Sequence, residues 1–303
     1  IAGNLAVLLG LLFIVILAGE IRARFFVDTT DSFALTLTSR RWFERHYHMN
    51  NWGYRDDVNY AFPAAPGKRR ITFIGDSFTA GHGVPNVDDR FANRIRAMKP
   101  EWEVHVFARN GWDTSVEAAF VDSVLATQFA GKYDVDLVVL VYTLNDISDI
   151  MPEWRSILTR IYARSKPGFP FEQSYFLNSL FFKYQAAVNP DLSRYYDFTK
   201  TAYEGPLWGA QQERLAHLRA AVEKLGGRLL VVTFPFLHAI GPDDAYSGVH
   251  AKLDEFWRGL GVPHLDLKPL FDPFKPNEIV VNAHDAHPNE KAHRLAAEAI
   301  AAF

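Results

Sequence analysis

The 303-residue sequence contains no cysteine. Disulfide staples, thiolate metal sites and cysteine nucleophiles are therefore excluded, while the redox compartment is left open. It also lacks a surplus of either charge, since 32 Lys and Arg stand against 35 Asp and Glu for a formal net charge of −3. That balance provides no basic footprint, and no long block of one sign is visible, so no nucleic-acid partner is expected. What is present is a 49% hydrophobic share with 22% charged residues. This is the balance of a globular chain that can bury a substantial core, and one large domain with accessories is the expectation.

The chain has one long hydrophobic run. "IAGNLAVLLGLLFIVILAG" holds 19 residues with Asn4 as its only clearly polar side chain. At about 1.5 Å per residue it spans roughly 28 Å, close to a hydrocarbon core. The run exceeds the roughly 7 to 15 apolar residues of a signal peptide, and no A-x-A cleavage pattern follows it. Residues 1–20 are thus expected to be a retained transmembrane anchor in contact with a lipid bilayer. Arg22 and Arg24 just beyond it favour a cytoplasmic C-terminal side. Residues 21–68 are rich in turn formers and aromatics, as in "NNWGYRDDVNYAF" and "PAAPGKRR", and a juxtamembrane stalk packed onto the domain edge is expected there.

From residue 69 the pattern alternates. Apolar runs at 70–74, 104–108, 135–143, 228–234 and 263–267 predict strands, and helical periodicity is found at 90–98, 115–129, 210–226, 251–261 and from about Asn289 to the end. Nearly continuous apolar strands separated by helices predict a three-layer α/β/α sandwich on a central parallel sheet. Ligand sites in such sheets lie outside the carboxyl ends of the strands. Four polar segments fall at predicted strand ends or before a helix: "GDSFT" (75–79), "RNGWDT" (109–114), "YTLND" (142–146) and "DAHPN" (285–289). Singly, each is weak, because Ser77 alone would be a helix cap and Asn145-Asp146 a turn pair.

Together and in this order the four segments resemble the blocks of the GDSL-type SGNH hydrolases, over about residues 69–303. "GDSFT" resembles the first block with its nucleophile Ser77, "NGWDT" the second with Gly111, "LND" the third with Asn145, and "DAHPNEKAH" the last with His287. The leading apolar helix and "NNWGYRD" are similar to membrane-anchored members. The resemblance implies an acyl-enzyme on Ser77, His287 as the base, and an oxyanion hole made by the Ser77 and Gly111 N–H groups and the Asn145 amide. It implies no cofactor. The chemistry needs these types: a serine hydroxyl is a poor nucleophile until a base of near-neutral pKa takes its proton, and losing one oxyanion donor typically costs about 2.7–4 kcal/mol of barrier. A side chain at Gly111 is expected to obstruct substrate.

Two departures stand out. The family commonly sets its aspartate three residues before the histidine, where this chain has His284; Asp285, two before, is the expected orienting group, with a Ser/His dyad supported by a backbone carbonyl as the alternative. The glycine usual two positions before the third-block asparagine is Thr143, expected to narrow the pocket. His284, His287 and His293 lack the i, i+4 spacing of a helical metal site, and no metal is expected.

Residues 150–210 do not fit the core pattern. Fourteen of these 61 residues are aromatic, about 23% against 14% for the chain, among them Trp154, Phe169, Phe171, Phe181, Phe182, Tyr195, Tyr196 and Trp208. A lid over an apolar acyl group or glycan, a surface for a membrane partner, and a satellite core are the alternatives. The expected protein is a membrane-anchored serine esterase that removes O-acyl groups, chiefly O-acetyl, from envelope carbohydrate, with its domain periplasmic or otherwise extracytoplasmic, as the resemblance to anchored members implies against the hint from Arg22 and Arg24. An O-acyltransferase using the same residues, a silent accessory subunit of a membrane complex, and a passive glycan-binding module are the competing readings.

Overall fold

The computed structural model describes every residue except 1, 165, 194, 242 and 243; the side chains of residues 2, 193, 196 and 198, Tyr196 among them, also lie outside the described set. Five strands, β1 (Arg69–Gly75), β2 (Trp102–Ala108), β3 (Leu137–Thr143), β4 (Arg228–Phe234) and β5 (His264–Asp266), form one sheet in the order β2-β1-β3-β4-β5. Every pairing in it is parallel. Strand side chains alternate between faces, and the core divides accordingly. Ile74, Leu140 and Tyr142 join a cluster on one side with Leu215 and Trp257, while Phe73, Val139 and Val141 join the other with Phe91, Phe234 and Ala296. Both faces being covered is what makes the strands read as unbroken apolar runs. The chain runs from β1 to β2 on one side and then returns to β3 on the other, so the sheet reverses its winding at β1. The crevice at the carboxyl ends of β1 and β3 is the place such sheets leave for a ligand.

Helix α1 (Ala2–Phe25) is long and apolar enough to cross a membrane, and no residue of the apolar window within it is buried in the protein. Its end is held, because Arg41 on α2 (Leu37–His46) donates to the carbonyls of Ala23 and Arg24, two of the groups a helix C-terminus leaves unpaired, and to that of Val27 just beyond it. The region expected as a stalk therefore carries a helix and is threaded into the domain. Arg55 is fully buried and donates to Val84 O at 2.6 Å and to Gly81 O, and Asp56 accepts from Tyr60 at 2.6 Å, Arg90 at 3.1 Å and Arg96 at 2.7 Å. A buried arginine is tolerated only when its donors are matched this fully.

Short α3 (Ser77–Ala80) follows β1, and α4 (Phe91–Met98) packs on the C-terminal helix Glu290–Ala302. The single helix predicted at 115–129 is two windings, α5 (Thr114–Ala119) and a wider π-type stretch Phe120–Gln128. In the insertion lie α6 (Trp154–Arg164), α7 (Tyr175–Val188) and two shorter helices. Strands β6 (Val280–Asn282) and β7 (Asp285–Pro288) make a small antiparallel hairpin beside the main sheet. His287 is thus on a strand.

Candidate active site

Gly75 ends β1, and the chain turns at once into α3, whose N-cap is Asp76 and whose first residue is Ser77. Asp76 accepts from Phe78 N at 2.8 Å, so the cap fixes the turn. Gly81, with φ +76°, closes it. Ser77 is left half-buried, with its Oγ donating to His287 Nε2 at 2.8 Å. The other ring nitrogen of His287, Nδ1, donates to Asp285 Oδ1 at 2.5 Å. The two-residue spacing is sufficient because residues i and i+2 of a strand project on one face, and both sit on β7. The carboxylate, not a backbone carbonyl, occupies the orienting position. This chain of hydrogen bonds can draw the Ser77 proton onto His287 and leave the imidazolium facing a fixed negative charge.

Asp285 is fully buried. Burial alone would raise its pKa, but the His287 and His82 rings outweigh that and hold it well below the usual carboxylate range. His82, five residues after Ser77, was not singled out from the sequence. Its ring stacks on His287 with centroids 4.0 Å apart and planes 13° off parallel. Asn110 Nδ2 donates to His82 Nδ1 at 2.7 Å, which fixes the tautomer with the proton on Nε2, facing Asp31 O at 3.1 Å and Asp285 Oδ2 at 3.3 Å. Burial, then the neighbouring His287, keep His82 below the ordinary histidine value and neutral.

Ser77, His287, Gly111 and Asn145 line one cavity of about 210 Å³. Gly111 follows β2 with φ +79°, in the left-handed region that favours glycine. An added Cβ there would meet nothing within 4 Å, so the backbone conformation rather than a clash inside the protein calls for glycine. Asn145 follows β3. Thr143 does not narrow the cavity. It is fully buried, with Oγ1 at 2.8 Å from Asp76 Oδ2 and 2.9 Å from Asp146 Oδ1. One hydroxyl proton is shared between two buried carboxyl groups, an arrangement that favours the neutral form of one of them. The direction of Asp146 agrees: burial, then Glu117 and Asp76, push it well above the ordinary value. Glu117 is raised likewise, by burial and then by Asp76 and Asp113.

The opposite wall comes from two added segments. Trp154, Leu158 and Tyr162, at i, i+4 and i+8 of α6, face the cavity on one helical stripe. Ile157 and Ile161 of the same helix pack with Phe33 and Leu35 in a small satellite core. The insertion is therefore both cavity wall and satellite core. Ser32 and Phe33 divide this cavity from a second of about 540 Å³ beyond them, lined also by Phe182 and His284. Among the described residues, His82, Asp285 and His287 are the one group of three histidine or carboxylate side chains within ligating reach of each other. Hydrogen bonds already engage all four of its ring nitrogens. His293, set aside as a ligand on its spacing, accepts from Phe91 N at 3.3 Å, with burial and then Arg90 holding it at about 3.

A serine, a histidine and an aspartate in series at the carboxyl edge of a parallel α/β sandwich define the esterase-type hydrolases of the SGNH group. The chain belongs to the GDSL-like Lipase/Acylhydrolase family, whose model matches residues 73–295. No curated protein sequence matches it. Among solved structures, a member of the lipolytic G-D-S-L family from Veillonella parvula is similar at 14% identity and TM-score 0.43, over 76% of this chain and 94% of that one. A lipase from a goat rumen metagenome is similar at 15% and 0.41, over 77% and 96%. A carbohydrate esterase family 2 enzyme with a carbohydrate-binding domain, from Corynascus thermopiles, is similar at 14% and 0.48, over 79% and 67%.

Proposed function

We propose that the protein is a membrane-anchored serine esterase that removes short O-acyl groups, O-acetyl above all, from carbohydrate at the outer face of the cytoplasmic membrane. Ser77 attacks the ester carbonyl while His287 takes its proton, and Asp285 holds the imidazole and stabilises its charge. The oxyanion sits against the Ser77 and Gly111 N–H groups and the Asn145 amide. His287 then protonates the departing sugar oxygen, and water attacks the acyl-enzyme with His287 again as base. The observation that carries this reading is the unbroken Ser77–His287–Asp285 hydrogen-bond series opening on the cavity that also holds Gly111 and Asn145.

The size and lining of the cavity support the substrate class. About 210 Å³ is below the roughly 300 Å³ at the low end of sites for drug-sized ligands, which suits a short acyl group. Trp112, Trp154 and Tyr195 beside Asn110 and Asp113 offer the flat apolar faces and polar edges that a sugar ring presents in return. A site close to the membrane surface is supported by the chain length between them: Thr30, which touches Asp285, comes five residues after Phe25 at the end of α1. At roughly 3.6 Å per residue the site lies within about 18 Å of that helix end.

The test is acetate release from O-acetylated glycans by full-length protein in liposomes, beside Ser77→Ala and His287→Ala. Release that both substitutions remove supports the reading, and a well-folded wild type without turnover on any acetyl ester counts against it. Sidedness is read with Lys224→Cys, an exposed position in a chain with no other thiol. A membrane-impermeant maleimide should label it in intact cells.

A further inference from the structure

The carboxylate of Asp285 has two oxygens, and His287 uses only one. Oδ1 accepts from His287 Nδ1 at 2.5 Å and from the His287 backbone N–H at 3.1 Å. Oδ2 accepts from Thr30 Oγ1, and His82 Nε2 stands 3.3 Å from it. Thr30 lies outside the family-matched region, which begins at residue 73, and it is 255 positions from its partner.

The segment around Thr30 is tied down along its length. Asn282 Nδ2 donates to Thr29 Oγ1 at 2.8 Å and to Thr30 O at 2.9 Å, Ser32 N donates to His284 O at 3.0 Å, and Ala286 N donates to Ser32 Oγ at 3.0 Å. These bonds fasten residues 29–32 to the β6–β7 hairpin that carries Asp285 and His287. Asp31 folds the next turn, accepting from Phe33 N, Leu35 N, Thr36 N and Thr36 Oγ1 at 2.7–3.1 Å. Both Thr30 and Asp285 are nearly inaccessible to solvent, at 2% and 1% exposure, so water cannot replace a lost donor. Without Thr30, Oδ2 keeps only the longer approach of His82 Nε2 at 3.3 Å; an underpaired buried carboxylate oxygen is costly, and the carboxylate would relieve that cost by turning about its Cβ–Cγ bond. Any such turn moves Oδ1 off the His287 Nδ1–H.

We propose that Thr30, on the strap that follows the apolar helix, is a positioning residue for catalysis: with His82 it fixes the plane of the Asp285 carboxylate, and through it the His287 ring. The inference rests on the roles of Ser77, His287 and Asp285 proposed above. The strap is then a working part of the active centre, and the spacing of Asp285 two residues before His287 functions because a distant segment completes the carboxylate's partners.

The test uses the full-length protein with Thr30→Val, which keeps the shape and removes the hydroxyl, and Thr30→Ser, which restores it. Two readouts are taken: kcat and KM for p-nitrophenyl acetate per fluorophosphonate-titrated site, and the downfield proton resonance of His287 Nδ1–H. Thr30→Val should lower kcat by about ten-fold or more, the scale of a lost hydrogen bond to a charged group. KM should stay within about two-fold, and the resonance should shift or broaden; Thr30→Ser should recover both signals. A Thr30→Val protein with wild-type kcat and an unmoved resonance overturns the inference, even if its Tm has fallen. If the wild type itself shows no turnover, the esterase reading fails, yet the resonance in wild type and Thr30→Val still decides whether Thr30 positions the pair.

Discussion

The cavity has two unlike walls. One is the carboxyl edge of the sheet, where Ser77, Gly111 and Asn145 follow β1, β2 and β3 and where main-chain geometry does the placing: a cap at Asp76, a φ of +79° at Gly111, a register of parallel strands. The other is assembled from the strap and α6, where Phe33, Trp154 and Tyr195 are placed by side-chain packing, with Phe33 edge-on to Tyr195 at 4.8 Å. Backbone positions are set by the fold and tolerate little change, while packed side chains can be exchanged at modest cost. Under the proposed function, chemistry falls to the first wall and selectivity to the second.

The sharpest way to break that division is on the sheet edge. Ser77→Ala and His287→Ala should each lower kcat by at least about a thousand-fold, and the double variant should lose little more, because residues acting as one unit are not additive; burst and steady-state kinetics on p-nitrophenyl acetate check this. Asn145→Ala should lower kcat by about 10² to 10³-fold with KM nearly unchanged, the effect of one missing oxyanion donor.

On the packed wall the expected effects are smaller and different in kind. Phe33→Ala opens the cavity into the neighbouring space of about 540 Å³. It should raise kcat/KM for hexanoate relative to acetate esters by about ten-fold while leaving acetate turnover near wild type, since each methylene in an apolar pocket is worth roughly 1–3 kcal/mol. An unchanged ratio would mean that Phe33 does not limit chain length.

The smallest effect is a pH dependence behind the sheet edge. Glu117 has its pKa raised above 4.5 by burial first, so the folded protein binds its proton more tightly than the unfolded chain does. Its contribution is fully present below the unfolded value and is lost as pH rises through the folded one. Glu117→Gln should therefore flatten the decline of Tm above about pH 5, without changing kcat at a fixed pH. Asp285 has the opposite sign: its folded pKa is depressed, so its contribution is lost as pH falls below the usual carboxylate range.

The sheet was legible because parallel strands covered on both faces must be apolar at nearly every position, as in "LVVLVYT" of β3. Ser77, Gly111, Asn145 and His287 were legible because each stands at a strand end or beside the last helix within a short, recognisable block. The strap was not. Thr30 and Asp285 are 255 positions apart, and a threonine in "VDTTDSF" carries no local signal of a partner so distant. His82 carries a local signal, a histidine five residues beyond the nucleophile in "GDSFTAGH", but glycine and histidine there also fit a plain turn. The β6–β7 hairpin escaped for want of length: at three and four residues it is too short for alternation to show. Helix α2 was hidden because "LTSRRWFERH" has only three strongly apolar or aromatic residues to mark a face.

The most direct measurement is mass-spectrometric mapping of the adduct formed when full-length protein reacts with a fluorophosphonate. A single adduct on the peptide containing Ser77, absent in Ser77→Ala and formed far more slowly in His287→Ala, is the predicted result. A folded wild type that stays unmodified, or carries its adduct on another residue, would contradict the assignment of Ser77 as the nucleophile.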